Sequence, residues 1–270
     1  MGKADSRTGR RRGPALRALL ERLGRDSGPL RPRWASGFEY AEIPAGLLDR
    51  VPEWLERYEV PGAREIRPHR VYRRDDLLVK LYGPGDTFKD RFRRSRAVRS
   101  ADWYARLLPL RTPRPLLAIE LRSWGRVTQA LLVAEFVSGH SLTELWNERH
   151  ALAHDAFDAL PRFMAEMHRH RVYHGDLHPQ NLIWDGREWT LIDLDGMRRR
   201  QHVGRRIVER QWVRLFVSLG GDRRLRPYFE AYLDAAGWRW DADAAWRRIV
   251  DGSAEPLARR ARREARPTRA

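Results

Sequence analysis

Cysteine is absent from all 270 residues. That excludes disulfides, thiolate metal sites and a cysteine nucleophile, and it suits a reducing compartment. No apolar run reaches about 18 residues, so no membrane-spanning helix is expected. The basic N-terminus lacks the apolar core of a signal peptide. A cytoplasmic protein is the expectation. Lysine is scarce: only Lys3, Lys80 and Lys89 stand among 53 basic residues. Asparagine is scarcer still, at Asn147 and Asn181. Where arginine has replaced lysine almost everywhere, a lysine inside an apolar strand asks for a specific role.

Acidic residues are also too few to balance the basic ones. The 53 Lys and Arg against 36 Asp and Glu leave a net charge of +17. Such a surface favours polyanions such as anionic lipid, phosphorylated glycan or nucleic acid. A general arginine bias along the chain accounts for the same number. No nucleic-acid-binding motif accompanies the charge, so nucleic acid is not an expected partner. The 42% apolar content is enough for one large domain or two lobes sharing a cleft.

Residues 1–36 read as a basic arm, with a short amphipathic helix at Pro14–Leu23. Residues 37–137 mix short strands with one helix. Within them Arg70–Tyr82 predicts two strands joined at Asp75-Asp76, and Gly83-Pro84-Gly85-Asp86 predicts a turn. Asp90–Leu108 predicts a basic helix, broken at Thr112-Pro113-Arg114-Pro115. Two strands follow, Leu116–Leu121 and Val127–Phe136, on either side of Ser123-Trp124-Gly125. After a connector at Val137–Ser141 the pattern turns helical through residues 138–256: Leu142–Arg149, Ala153–Arg171, Val208–Leu219 and Leu225–Ala236. Residues 257–270 form an arginine-rich tail expected to fray. A strand-rich half before a helix-rich half predicts an α+β architecture of two lobes.

One strand pair interrupts the helices. Asn181-Leu182-Ile183-Trp184 and Trp189-Thr190-Leu191-Ile192-Asp193 flank Asp185-Gly186, a strong hairpin-turn signal. Closing that hairpin returns Asp193 to Asn181, with Asp176 on the loop just before. Two carboxylates and an amide oxygen then converge. Hard oxygen ligands suit Mg²⁺, and a third oxygen group nearby can accept a proton from a hydroxyl nucleophile. Phosphoryl transfer asks for little more than positioned phosphates, metal charge and an oriented nucleophile. The same three residues also fit turn and cap positions.

His174-Gly175-Asp176-Leu177-His178-Pro179-Gln180-Asn181, with Asp193 twelve residues beyond Asn181, resembles the catalytic and metal-binding loops of the protein-kinase-like superfamily. The Gly-Asp-Leu-His-Pro form resembles its small-molecule and sugar branch. Leu78–Gly85, Thr112–Pro115, Leu132–Gly139 and Leu191–Arg198 are similar to the bacterial lipopolysaccharide core kinases, the Kdo/heptose kinase group; the resemblance spans about residues 70–220. It implies a two-lobed protein-kinase-like fold, with a small antiparallel sheet in the N-lobe and a mainly helical C-lobe. It implies ATP and Mg²⁺ as cofactors and a sugar hydroxyl of lipopolysaccharide core or a related glycan as acceptor. Asp176 would be the base, Asn181 and Asp193 would hold Mg²⁺, and Lys80 would neutralise the ATP phosphates. The backbone at Glu135–Val137 would bind adenine, and His178 would touch the γ-phosphate. An anionic glycolipid acceptor would bring the protein to the cytoplasmic face of the inner membrane as a peripheral protein. The alternatives are a kinase of another small molecule or of protein Ser/Thr, and a non-catalytic nucleotide-binding scaffold.

The sequence departs from that pattern in three places. No glycine-rich loop lies between Gly37 and Lys80. The helix after Lys80 carries no Glu, leaving Asp102 as the better-placed partner for the lysine. No Asp near Gln211 stands ready to support the catalytic loop. Arg198–Arg200, Arg205 and Arg206 read first as solvated charge, with holding an anionic acceptor as the alternative. Asp195 is open between metal ligand and turn former. His168 and His170 are expected as charges at a helix end, where they suit the dipole.

Overall fold

The alternation in Leu77-Leu78-Val79-Lys80-Leu81-Tyr82 sets the first half of the structure. A computed structural model describes residues 31–34, 46–67, 70–84, 92–107, 110–148 and 153–264. The predicted Pro14–Leu23 helix, Gly85, Asp86, Lys89 and Asp90 lie outside the described residues. Two units emerge, one of residues Met1–Asp102 and Arg114–Phe136, the other of Trp103–Pro113 and Val137–Ala270.

The first unit contains β1 (Arg31–Trp34), α1 (Leu47–Arg57), β2 (Arg64–Arg67), β3 (Val71–Arg74), β4 (Leu77–Tyr82), the start of α2 (Arg96–Leu107), β5 (Pro115–Ser123) and β6 (Arg126–Glu135). Its six-stranded sheet has the order β1-β5-β6-β4-β3-β2, and every pair is antiparallel. The β3–β4 hairpin turns at Asp75-Asp76, with Asp75 left-handed at φ 53°. Aspartate tolerates that region because its short side chain bonds locally. On one face, Val79 and Leu81 of β4 meet Leu131 and Val133 of β6 under Val51, Trp54 and Leu55 of α1. On the other face, Ala97, Val98 and Ala101 of α2 pack on Ala118, Ala130, Leu132 and Ala134. The small residues let the helix lie close to the sheet.

The second unit contains β7 (His140–Ser141), α3 (Leu142–Glu148), α4 (Ala153–Arg169), β8 (Val172–His174), β9 (Leu182–Trp184), β10 (Trp189–Leu191), β11 (Met197–Arg199), α5 (Arg205–Ser218), α6 (Arg226–Ala235) and α7 (Ala242–Glu264). Ser141 opens α3 with a reciprocal cap. Its hydroxyl accepts from Glu144 N–H at 3.2 Å, and its own N–H donates to Glu144 Oε2 at 2.6 Å. The strands form two small sheets, β10-β9-β7 and β11-β8. The core is aromatic: Trp212 meets Phe229 at 5.3 Å and Phe216 meets Trp246 at 5.4 Å, both edge-on. The architecture is mixed α and β, with the antiparallel sheet in one unit and most helices in the other.

The structure differs from the sequence expectations in several places. The predicted Asp90–Leu108 helix is interrupted at residues 93–95, and α2 begins at Arg96. Ser95 makes the break: its N–H donates to buried Glu120 Oε2 at 2.7 Å, and its hydroxyl accepts from Val98 N–H at 3.2 Å. Helix α1 is an addition to the single helix expected within residues 37–137. The tail expected to fray from Leu257 is helical as far as Glu264. Leu257 packs on the aromatic core there, and Arg260 donates to the carbonyls of Val217 and Ser218 at 3.0 Å each.

Candidate active site

The Asp-Gly hairpin closes as its sequence dictates. Trp189 faces Trp184, Thr190 faces Ile183 and Leu191 faces Leu182. Asp185 Oδ1 accepts from the N–H groups of Arg187 and Glu188, at 2.9 and 3.0 Å, which shapes the loop. Arg111 braces the loop from outside through Asp185 and Glu188. At the open end Ile192 N–H donates to Asn181 C=O at 2.9 Å, so Asn181 and Asp193 are neighbours.

Asp176 reaches the same place through His174. This buried ring accepts from Asp176 N–H at Nδ1, 3.1 Å away, and its Nε2–H donates to Asp193 C=O at 2.9 Å. Those two bonds define a neutral imidazole protonated on Nε2. Burial holds its pKa below the ordinary histidine value, against the pull of the Asp193 carbonyl and of the carboxylates of Asp193, Asp195 and Asp176. The fit is tight: a Cβ on Gly196 would stand 2.8 Å from His174 Cε1. Gly175 N–H donates to Gly196 C=O at 2.8 Å, closing the loop that precedes Asp176 onto the one that follows Asp193. Asp193 itself is left-handed, at φ 62° and ψ 55°. Asp195 is half-buried in the 3-10 turn Leu194–Gly196.

Sequence reasoning missed the support beneath this loop. Gln211 on α5 is buried, and its Nε2 donates to His174 C=O at 3.1 Å. Its Oε1 accepts from His168 Nε2–H, which leaves His168 Nδ1 to accept from Tyr232 O–H at 2.7 Å. The relay runs in one direction, from α6 through α4 and α5 into the backbone at His174. His168 is therefore a neutral core group, not the dipole charge expected at the helix end. Burial pushes its pKa down to about 4, with the Gln211 bond opposing.

Arg214 was also missed. It lies three residues beyond Gln211, on the same helix face, and forms an ion pair with Asp176. His178 completes the group, with Nε2 3.2 Å from Asp176 Oδ1 and Nδ1 3.3 Å from Ser218 Oγ. The i, i+3, i+7 spacing of Gln211, Arg214 and Ser218 is the signal that could have found these residues. Of the arginines singled out instead, Arg205 pairs with Glu209 at 2.8 Å and stands over the Trp240 ring.

Lys80 and Glu135 belong to the first unit. Lys80 lies opposite Leu132 in the ladder, on the sheet face that carries α2. Asp102, the expected lysine partner, pairs with Arg94. Glu135 N–H donates to Arg114 C=O at 2.9 Å, and Phe136 N–H to Asp76 C=O at 2.7 Å. Among the described residues no backbone–backbone hydrogen bond is seen at Val137.

The donor chemistry suits magnesium. Asn181 Nδ2 donates to Asp176 C=O at 3.4 Å, which ties the amide to the Asp176 loop. Among the described residues no three His, Cys, Asp or Glu side chains gather into a ready cage. One carboxylate with one amide oxygen, completed by phosphate and water, is a pattern Mg²⁺ accepts.

Comparison with known proteins adds the following. The model of the lipopolysaccharide kinase (Kdo/WaaP) family matches residues 64–225. Among solved structures, this chain is similar to WaaP in complex with acyl carrier protein, at 18% identity and TM-score 0.47, over 73% of this chain and 89% of that one. It is similar to WbdD at 15% identity and TM-score 0.45, over 71% of this chain and 45% of that one. It is also similar to WbdD bound to the kinase inhibitor LY294002, at 12% identity and TM-score 0.43, over 89% and 64% of the two chains. No curated protein matches it in sequence.

Proposed function

Since the chain belongs to the lipopolysaccharide kinase (Kdo/WaaP) family, we infer that it is a kinase acting on a sugar of lipopolysaccharide. The reaction we propose moves the terminal phosphoryl group of ATP to a sugar hydroxyl of the core or a related glycan. Asp176 orients that hydroxyl and takes its proton. Asn181 and Asp193 would hold Mg²⁺, which when bound would offset charge on the phosphates. Lys80 binds the α- and β-phosphates, the backbone at Glu135 and Val137 holds adenine, and His178 contacts the phosphate to be moved.

The observation that carries this reading is the His174 bridge. One neutral ring fixes the amide of Asp176 and the carbonyl of Asp193, so base and metal ligand are set by a single buried side chain. The acceptor would be anionic and presented at a membrane, which suits the net charge of +17. Among the described residues no helix is long and apolar enough to cross a membrane, so the contact proposed is peripheral.

The test is transfer of label from ATP, with Mg²⁺, to separate pools of core oligosaccharide, aminoglycoside and protein. Label is expected on the oligosaccharide and is lost in Asp176→Asn and Asp193→Asn. Label on aminoglycoside or protein instead would move the acceptor to another class. ATP binding without transfer to any pool would mean a non-catalytic scaffold.

A further inference from the structure

Trp124 sits at the tip of the β5–β6 hairpin with 87% of its surface exposed. Its backbone is as unfavourable as its exposure. Ser123 pairs with Arg126, so Trp124 and Gly125 form a two-residue turn with φ 50° and 77°. Such a turn prefers Asn, Asp or Gly at its first position, and a bulky aromatic there is an outlier. Neither folding nor solubility explains a tryptophan at this point.

The tip is anchored to a second exposed aromatic. Arg122 is buried and donates to Gly125 C=O at 2.6 Å, to Phe92 C=O at 3.4 Å and to Arg93 C=O at 2.7 Å. Its fourth bond, at 2.7 Å, goes to buried Glu120. One guanidinium thus ties the hairpin tip to residues 92–93. Phe92 is 46% exposed, and the guanidinium of Arg126 stands 5.3 Å from its ring. Arg93, Arg96 and Arg126 are exposed around this platform, Arg94 beside them is paired with Asp102, and neither 92–96 nor 122–126 contains an acidic residue.

We propose that this tip is a docking site for an anionic bilayer surface. Trp124 and Phe92 enter the interfacial layer, where amphipathic rings are favoured, and the arginines lie among the lipid phosphates. The patch is a protruding tip with a rigid base and cations around it, which suits a soft, negatively charged plane better than a pocketed protein partner. The inference needs only this surface and stands whether or not the phosphotransfer reading holds.

The experiment is co-sedimentation of the full chain with vesicles of phosphatidylcholine alone or mixed with phosphatidylglycerol, without ATP. Wild type is expected to bind the anionic vesicles and to bind phosphatidylcholine far less. Trp124→Asn is the deciding variant, because asparagine suits the turn and should keep or raise Tm. It is expected to weaken binding to the anionic vesicles about tenfold. Phe92→Ser is expected to act in the same direction. Unchanged vesicle binding in a folded Trp124→Asn protein overturns the proposal, as would equal binding of wild type to both vesicle types. A change of oligomeric state in Trp124→Asn without a change in lipid binding would also overturn it, assigning the tip to a second copy of the chain.

Discussion

The guanidinium of Arg214 donates to Oδ1 of Asp176. The pair is solvent-accessible, with 37% and 66% of the two side chains exposed, so it adds little stability. On the role proposed for Asp176, its effect would be on orientation: it fixes one carboxylate oxygen and would leave the other for the acceptor hydroxyl. Arg214→Gln is expected to leave Tm within about a degree of wild type. Its kcat should fall about tenfold, with little change in KM for ATP. Arg214→Lys keeps charge without the planar fork and should fall between. Steady-state kinetics on the three proteins check this.

Gly196 is the second point of leverage. A methyl group there meets the His174 ring, which is packed too tightly to step aside. Gly196→Ala should displace His174 from Asp176 N–H and Asp193 C=O together. Transfer is expected to drop at least about tenfold, with a stability loss of about 1–3 kcal/mol. Nucleotide binding and transfer, measured side by side, separate the two effects.

His168 makes the second unit acid-sensitive. Its folded pKa of about 4 lies below the ordinary value of 6.5, so the unfolded chain binds the proton first. The stability contribution is complete above about pH 6.5 and falls between there and pH 4. At pH 5 the loss from this group is about 2 kcal/mol, and His174 is shifted in the same direction. Urea midpoints at pH 7 and pH 5 should show it. His168→Gln can still bridge Tyr232 and Gln211, and should flatten the slope. An equal slope in that variant would mean that other groups carry the acid response.

Glu120 and Arg122 form a pair in β5 with only 3% and 8% of their side chains exposed. Glu120→Leu strands a buried guanidinium and the N–H of Ser95. The expected loss is about 3–5 kcal/mol. Glu120→Leu combined with Arg122→Met removes both charges and should recover part of that. Differential scanning of the two variants reads it directly.

The legible parts of this molecule were those written locally. The hairpin that brings Asp193 to Asn181 follows from Asp185-Gly186 between two apolar runs, and the β3–β4 hairpin from Asp75-Asp76. What escaped depends on distant partners. Gln211 meets His174 across 37 positions and His168 across 43, and Arg214 meets Asp176 across 38. Polar side chains on a helix do not announce such partners. His168 read as a surface charge because its burial is made by Tyr232, on another helix. Helix α1 escaped because Gly46 gives it no side-chain cap and Pro52 stands inside it. The end of α7 escaped because its arginines hide the anchoring by Leu257.

Leu107 and Leu110 belong to the aromatic core of the second unit, although β5 and β6 of the other unit follow them in the chain. On the ribosome, a nascent chain that has emerged as far as Phe136 holds every strand of the six-stranded sheet. It also holds these two leucines, with none of their partners from Leu142 onward yet made. At that length translation presents an apolar helix end with nothing to bury it, a natural binding point for a chaperone. For the same reason neither half can be expressed as one uninterrupted fragment with its core intact.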